Sequence, residues 1–286
     1  MATGQPVYTD AFGSGQGQSF SFDLEQRPTR VNPNPGWFNE ESLQSLLYDF
    51  YDSNADTLPA TTDVDNLALG FGPLWAALTG PHRATRAQIS VFPLVNALRR
   101  TRPADQPQID VLTGAQRIAT VTDDYGTGQT NFGVPTGRTP QQVLADFNSV
   151  YSSLTVGGPP VTVCSLDDYT SSLSGAENKL AARRLVQFAV SSAGQHVVTA
   201  RAVAPLNAPA DPDLRLLSGG GPVLISEEAR PPLCAVNTPQ ECVETFTPTL
   251  QVGDYVLEVY EWTNTNALDD TEPPIGRTCF SVTVTR

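Results

Sequence analysis

The sequence predicts an α+β protein of two domains, an N-terminal all-α subdomain (residues 1–157) and a C-terminal antiparallel β-sandwich of jelly-roll type (residues 158–286). Apolar residues recur at helical spacing in the first half, whereas they alternate with polar residues in the second half. Between the halves, residues 157–160 read Gly-Gly-Pro-Pro, a composition typical of a linker. These observations together place a domain boundary after residue 157.

The first predicted helix follows an extended segment with alternating apolar residues, Ser19-Phe20-Ser21-Phe22-Asp23-Leu24. Asn39 is a favourable N-cap, and Glu40 and Glu41 lie where carboxylates stabilise the positive end of a helix dipole. The spacing then predicts one buried apolar face. That face consists of Leu43, Leu46, Leu47, Phe50 and Tyr51.

Four more helices are predicted before the linker, over residues 67–79, 87–100, 106–118 and 139–151. The inward-facing residues expected in the first two are Leu67, Phe71, Leu74, Trp75 and Leu78, then Ile89, Phe92, Val95 and Leu98. Pro93 implies either a kink or a late start of its helix. Thr139 as cap and Pro140 at the first position begin the last helix, which carries Val150 and Tyr151 at its end.

Beyond the linker, short alternating runs are separated by Gly, Pro, Asn and Asp. The alternating apolar residues are Val186, Phe188 and Val190, then Tyr255, Leu257 and Val259, and finally Phe280, Val282 and Val284. This spacing is typical of a sandwich of about seven to nine antiparallel strands.

The charge pattern excludes several classes of function. A net charge of −13 argues against nucleic acid and anionic membranes, because phosphate binding needs clustered Lys and Arg. No run approaches the length of a membrane span, and the first residues, MATGQPVY, have neither the basic nor the apolar region of a secretory signal.

The four cysteines, Cys164, Cys234, Cys242 and Cys279, all lie in the second half. An even number in a Pro- and Thr-rich half indicates disulfides formed in an oxidising compartment, although four buried free thiols are the alternative. Of the three possible connectivities, we favour Cys234–Cys242, which closes a short loop, with Cys164–Cys279, which joins the first strand of the half to its last.

Catalytic motifs are sparse. The sequence contains no G-x-S-x-G and no H-E-x-x-H, and its two histidines, His82 and His196, are too far apart to form a helical metal-binding pair. The Gly-rich segments lack the Lys and the strand–loop–helix setting of a phosphate-binding loop. We therefore predict no catalytic residue and no cofactor in this chain.

One segment resembles the first half of a calcium loop. Asp52, Asn54 and Asp56 supply oxygen ligands at alternate positions, and Asp63 falls at the twelfth position. The sixth position is Thr57, where such loops have Gly, and the twelfth is Asp rather than Glu. The alternatives are a calcium site and a solvated loop whose Asp and Asn residues cap helices.

Several segments together resemble a protein family. They are residues 9–14 (TDAFGS), 20–25 (FSFDLE), 34–49 (NPGWFNEESLQSLLYD), 69–75 (LGFGPLW), 92–98 (FPLVNAL) and 125–131 (YGTGQTN). In this order the segments are similar to the downstream part of secreted bacterial proteins of zinc-metallopeptidase type, in which they follow an H-E-x-G-H helix. The second half, with Gly253-Asp254-Tyr255-Val256-Leu257-Glu258-Val259-Tyr260, resembles the C-terminal β-sandwich modules of secreted peptidases.

The resemblance implies a secreted or periplasmic protein whose catalytic half, with its zinc, lies upstream of Met1. The apolar face of the first helix would then pack partly on helices outside this chain, and the present chain would be a non-catalytic accessory portion that is inactive alone. The alternative is a free-standing extracellular binding or adhesion module for a glycan, a protein or a cell surface. Tyr255, Tyr260 and Trp262 would then offer an aromatic platform. An enzyme of different chemistry is a third possibility.

Overall fold

A computed structural model describes residues 7–11, 19–24, 35–52, 67–129, 149–165, 180–204, 206, 209–218, 221–225, 242–265 and 275–286. The α-helices in these ranges are α1 (Glu40–Tyr51), α2 (Phe71–Ala77), α3 (Val91–Thr101) and α4 (Gln106–Ala115), with a single turn at Trp262–Thr265. A π-helical turn, Leu78–His82, continues α2, and 3₁₀ turns lie at Pro103–Asp105 and Leu180–Ala182.

The start of α1 agrees with the sequence prediction. The Asn39 side chain accepts a hydrogen bond from the Ser42 backbone N–H at 2.9 Å and so caps the helix. Leu46 and Phe50 are fully buried against residues of this same chain, while Leu43 and Leu47 are partly buried. The two central residues of this face are therefore covered by the chain itself, and packing of the rest of the face on helices outside the chain stays a prediction.

Helix α2 corrects the prediction that Phe71 and Trp75 face inward, because their side chains are 58% and 55% exposed. Leu74 and Ala77 are the buried residues of α2. Successive helical residues are about 100° apart around the helix axis. A core contact centred between Leu74 and Ala77 therefore leaves the rings of Phe71 and Trp75 on the solvent side. Gly80-Pro81, predicted to end the helix, lies instead inside the π-helical turn.

Helix α3 begins at Val91, where the Ser90 hydroxyl accepts a hydrogen bond from the Phe92 N–H. Pro93 is consequently the third residue of the helix, where no backbone N–H has a partner within the helix, and the late start is the correct alternative. Ile89 precedes α3 and is 50% exposed, so its predicted inward position is wrong.

The predicted fifth helix lies mostly outside the described residues. Its last residue belongs to a strand instead, because Tyr151 begins β3 and pairs with Leu185 in parallel register. An antiparallel hairpin near the N-terminus, in which Val7 pairs with Asp23, further shows that the first half is not all-α.

The strands in the described ranges form four sheets. Their bounds are β1 (Val7–Ala11), β2 (Ser19–Asp23), β3 (Tyr151–Ser153), β4 (Val161–Ser165), β5 (Arg184–Val190), β6 (Gly194–Gln195), β7 (Val197–Ala202), β8 (Pro212–Ser218), β9 (Gly221–Ile225), β10 (Val243–Phe246), β11 (Thr249–Leu250), β12 (Gly253–Glu261) and β13 (Thr278–Thr285). The two larger sheets have the orders β3-β5-β12-β8-β9 and β10-β7-β13-β4, and the smaller ones are β1-β2 and β11-β6. Every pairing is antiparallel except that of β3 with β5.

The two larger sheets face each other across one apolar core. Its members include the alternating residues predicted from the sequence, namely Val186, Phe188, Val190, Tyr255, Leu257, Val259, Phe280, Val282 and Val284. These strands therefore have the predicted alternation, and the protein is α+β with antiparallel sheets. The jelly-roll connectivity stays a prediction.

The helices cover the other face of the five-stranded sheet. Leu185, Leu217 and Val256 point away from the inter-sheet core and belong to the same apolar cluster as Phe50 and Phe92 of the helices. The described residues thus form helices, a five-stranded sheet and a four-stranded sheet in three successive layers. The predicted domain boundary after residue 157 stays a prediction, although the Gly157 N–H donates to the Val284 carbonyl of β13 at 2.8 Å.

Cys164 of β4 and Cys279 of β13 are directly opposite each other and form a disulfide, as predicted. This bond fixes the edge strand β4 to the rest of its sheet. Cys242 is also disulfide-bonded, but its partner lies outside the described residues. The Cys234–Cys242 pairing therefore stays a prediction.

Candidate binding surfaces

A cavity of about 230 Å³ lies where the helical layer meets the outer face of the five-stranded sheet. Tyr125, Ser153, Gln187 and Asp254 are among the residues that line it, and we refer to it as the edge cleft. These residues come from four segments that are distant in the sequence. The edge cleft is therefore a product of tertiary structure and has no sequence motif.

Strand pairing positions three of the four residues. Gln187 of β5 lies opposite Val256 of β12 and beside Ser153 of β3, and Asp254 is two residues before Val256 on the same face. The Gln187 amide donates a hydrogen bond to the Ser153 hydroxyl at 2.8 Å. This bond fixes the floor of the edge cleft.

Tyr125 forms the wall that the helical layer contributes. The Asp123 carboxylate accepts hydrogen bonds from the backbone N–H groups of Tyr125 (2.9 Å) and Thr127 (3.1 Å), which holds the loop. Gly126 has φ +59°, and a Cβ there would come within 2.6 Å of the Phe92 ring. Residue 126, next to Tyr125, must therefore be glycine. Its close contact with the buried Phe92 ring fixes the position of Tyr125 relative to the core of the helices.

The rings of Tyr125 and Tyr151 pack edge to face, with centroids 5.2 Å apart at 82°. Burial, followed by the charges of Asp254 and Asp124, raises the pKa of Tyr125. Its hydroxyl therefore stays neutral and can donate or accept a hydrogen bond.

Asp254 forms an ion pair with Arg86, which lies between the π-helical turn and α3. The two side chains are 64% (Arg86) and 44% (Asp254) exposed, so solvent screens the attraction between them. An exposed pair of this kind contributes about 0–1 kcal/mol to stability. The carboxylate of Asp254 is consequently accessible to a ligand at low cost.

The residues that border the edge cleft support binding rather than nucleophilic catalysis. The Ser153 hydroxyl, the potential nucleophile among them, accepts a hydrogen bond from the Gln187 amide, which is not a base that could activate it. A carboxylate, an amide, a hydroxyl and an aromatic ring together form a polar recognition surface.

The predicted aromatic platform of Tyr255, Tyr260 and Trp262 is wrong. Tyr255 is buried in the inter-sheet core and stacks on Phe188 with centroids 5.6 Å apart. Tyr260 lies on the opposite face of the sheet, where the Arg183 guanidinium covers its ring at 5.0 Å. Two residues an odd number of positions apart in one strand cannot share a face.

The same outer face carries a buried carboxylate, Glu258, at the end remote from the edge cleft. Arg183 donates to it at 2.7 Å, and Arg215 lies 4.0 Å away. The charge of Glu258 is neutralised within the protein. Glu258 is therefore part of a structural ion pair and is not a ligand site.

Of the four calcium candidates, only Asp52 is described. It is buried at the C-terminus of α1, where its N–H donates to the Tyr48 carbonyl at 2.9 Å. Asn54, Asp56 and Asp63 lie outside the described residues, so the calcium site stays a prediction. In the ranges that the structure describes, no group of His, Cys, Asp and Glu could hold a metal ion.

Both histidines have structural surroundings. His82 Nε2 lies 3.0 Å from the Ser90 carbonyl oxygen, and His196 Nδ1 lies 2.9 Å from that of Gly194. His196 is buried, whereas His82 is half-buried in the π-helical turn. These contacts explain both residues without a catalytic role.

Glu261, at the end of β12, is a fully buried carboxyl group. It accepts hydrogen bonds from the Asp211 N–H (2.8 Å) and the Thr263 hydroxyl (3.1 Å). Burial nevertheless raises the pKa of Glu261 to about 8, because these bonds only partly offset the lost hydration.

We expect this group to make the protein less stable as the pH rises from 5 to 7. The pKa of about 8 in the folded protein lies above the unfolded value of 4.5, so the stabilising contribution is complete below pH 4.5 and is lost as the pH passes 8. Over those two pH units the loss is about 2–3 kcal/mol. Denaturant unfolding of the wild type and of Glu261→Gln at both pH values checks this, and an identical pH dependence in the two proteins would contradict it.

A second exposed feature is the pair Phe71 and Trp75 on α2, whose rings stack with centroids 5.6 Å apart at 22°.

No helix among the described residues is both long and apolar enough to cross a membrane.

No protein-family model matches this chain, and no curated protein matches it significantly. Among solved structures, the chain is similar to the pre-peptidase C-terminal domain of a collagenase from Bacillus anthracis (12% identity, TM-score 0.26, covering 48% of this chain and 98% of that one). It is also similar to PliG from Aeromonas hydrophila, a periplasmic inhibitor of g-type lysozyme (11% identity, TM-score 0.24, covering 47% of this chain and 96% of that one). A β-glucosidase from Paenibacillus barengoltzii matches at 15% identity and a TM-score of 0.20, covering 51% of this chain and 12% of that one. Similarities this low do not establish a function.

Proposed function

We propose that this chain is a non-catalytic accessory portion of an exported protein of zinc-metallopeptidase type, and that it binds a ligand in the edge cleft. The disulfide between Cys164 and Cys279 supports export, because such bonds persist in oxidising compartments. The sequence resemblance supports the peptidase context, in which any zinc belongs to an upstream segment.

The observation that carries the binding role is the convergence of Tyr125, Ser153, Gln187 and Asp254 on one accessible cavity. They come from four segments that are distant in the sequence, and they present different polar groups to one space. Ligand sites commonly combine a concave shape with a few convergent polar groups.

The same observation also supports the second candidate, a free-standing extracellular binding module. The two candidates differ in whether a catalytic segment precedes the chain, and both use the edge cleft. An in-frame H-E-x-x-H immediately upstream of the Met1 codon would favour the accessory role, because that motif provides two zinc ligands and a base.

The test combines a hydrolysis assay with a binding assay on the purified chain. We expect no chelator-sensitive cleavage of casein. On glycan and peptide arrays, we expect a ligand whose binding falls at least about tenfold in the Asp254→Asn, Gln187→Ala double variant, since the charge of one side chain and the amide group of the other are lost.

Asp105→Asn is the matched control, because Asp105 is also a partly exposed carboxylate that pairs with an arginine, Arg102. Its binding should equal that of the wild type. Chelator-sensitive hydrolysis, or full binding by the double variant, would contradict the proposal.

A further inference from the structure

The edge cleft is more negative than its one visible ion pair suggests. Asp123, Asp124 and Asp254 all act on Tyr125 in the same direction, and among the described residues Arg86 is the cation that opposes them there. The chain as a whole carries a net charge of −13. A cationic ligand is therefore favoured over an anionic one at this position.

Of the three carboxylates, Asp254 is the one that lines the edge cleft itself. Asp124 accepts hydrogen bonds from the Thr85 hydroxyl (2.8 Å) and the Asn96 amide (2.7 Å), and Asp123 caps the Tyr125 loop. Within the described part of the chain, Asp254 has the exposed Arg86 as its side-chain partner. Asp254 is thus the accessible acceptor in a negative surrounding.

We propose that the edge cleft binds the guanidinium group of an arginine side chain in a peptide partner, and that Arg86 occupies Asp254 until this ligand displaces it. The inference rests on the proposed binding function of the edge cleft. The Arg86–Asp254 pair itself demonstrates that a guanidinium group reaches this carboxylate with hydrogen-bonding geometry.

Displacement needs movement of the Arg86 side chain alone. Both neighbours of Arg86 are buried, and the Ala87 N–H donates to the Thr85 hydroxyl at 3.2 Å, so the backbone is held in place. The Arg86 side chain itself projects into solvent, and losing one screened surface pair costs little.

The other groups of the edge cleft suit a guanidinium ligand. The Gln187 side chain uses its amide nitrogen to bind Ser153, which leaves its carbonyl oxygen to accept from an N–H donor. Tyr125 lines the same cavity, and a planar cation can stack on an aromatic ring of this kind.

The test is calorimetric titration of the full chain with the peptide acetyl-Gly-Arg-Gly-amide and with its citrulline counterpart, which has the same shape but no charge. We expect the arginine peptide to bind and the citrulline peptide to bind at least about tenfold more weakly. Asp254→Asn should abolish the difference between the two peptides.

Arg86→Ala should bind the arginine peptide about two- to fivefold more tightly, since an internal competitor worth less than about 1 kcal/mol is removed. Arg102→Ala, which breaks a comparable surface pair with Asp105, is the control and should bind like the wild type. Weaker binding by Arg86→Ala would overturn the displacement, and equal binding of the citrulline peptide would overturn the charge recognition. A cleft that binds a neutral glycan and neither peptide would overturn this inference while leaving the proposed binding function intact.

Discussion

Replacing both Cys164 and Cys279 with alanine is expected to lower the free energy of unfolding by about 4–5 kcal/mol. The disulfide joins residues that are 115 positions apart, so its loss releases a long loop in the unfolded chain. In the folded protein, β4 is an edge strand that pairs with β13 alone in its sheet. Without the disulfide, this backbone pairing with β13 is what holds β4 in its sheet.

The measurement is equilibrium denaturation of the double variant and the wild type without reductant, so that any other disulfide stays intact. Cys164→Ala alone should lose a similar amount, because one thiol cannot form the bond. A difference below about 1 kcal/mol between wild type and double variant would show that the crosslink contributes little to stability.

Replacing Phe92 with alanine is expected to cost about 3–5 kcal/mol, the second large effect. The Phe92 ring is buried, packs on Trp37 with centroids 5.2 Å apart, and lies directly under Gly126. Its removal leaves a cavity where α3, the segment before α1 and the Tyr125 loop meet.

Phe71→Ala is the matched control, since it removes the same side chain from an exposed position on α2. Its unfolding free energy should change by less than about 1 kcal/mol. Both variants are measured by denaturant unfolding. Similar losses in the two variants would contradict the assignment of Phe92 to the core and Phe71 to the surface.

Local signals predicted the elements that depend on neighbours in sequence. The Asn39 cap, the buried residues Leu46 and Phe50 and the alternation in β5, β12 and β13 follow from propensity and periodicity. The Cys164–Cys279 bond followed from the positions of the first and last strands.

Tertiary contacts decided where prediction failed. Phe71 and Trp75 have helical spacing, but the packing of so short a helix selects Leu74 and Ala77 instead. Tyr151 continued an apolar helical pattern, yet parallel pairing with β5 places it in a strand. Periodicity within one segment carries no information about which face another segment will cover.

The three-layer arrangement did have a signal in the sequence. Tyr255, Val256 and Leu257 are consecutive apolar residues, and such a run is typical of a strand that is buried on both faces. The edge cleft had none, because Tyr125, Ser153, Gln187 and Asp254 meet only through strand register and the Phe92–Gly126 contact.

Whether the helices and sheets form one cooperative structure is the central question, since the edge cleft requires both. The most direct measurement is native-state amide hydrogen exchange in Phe92→Ala and the wild type, comparing Val95 of α3 with Leu257 of β12. The shared core predicts that protection at both amides falls by the same factor, roughly two to four orders of magnitude for a loss of about 3–5 kcal/mol. If protection fell at the Val95 amide and stayed unchanged at the Leu257 amide, the helical layer would unfold independently of the sheet. The edge cleft could not then be formed jointly by the two layers.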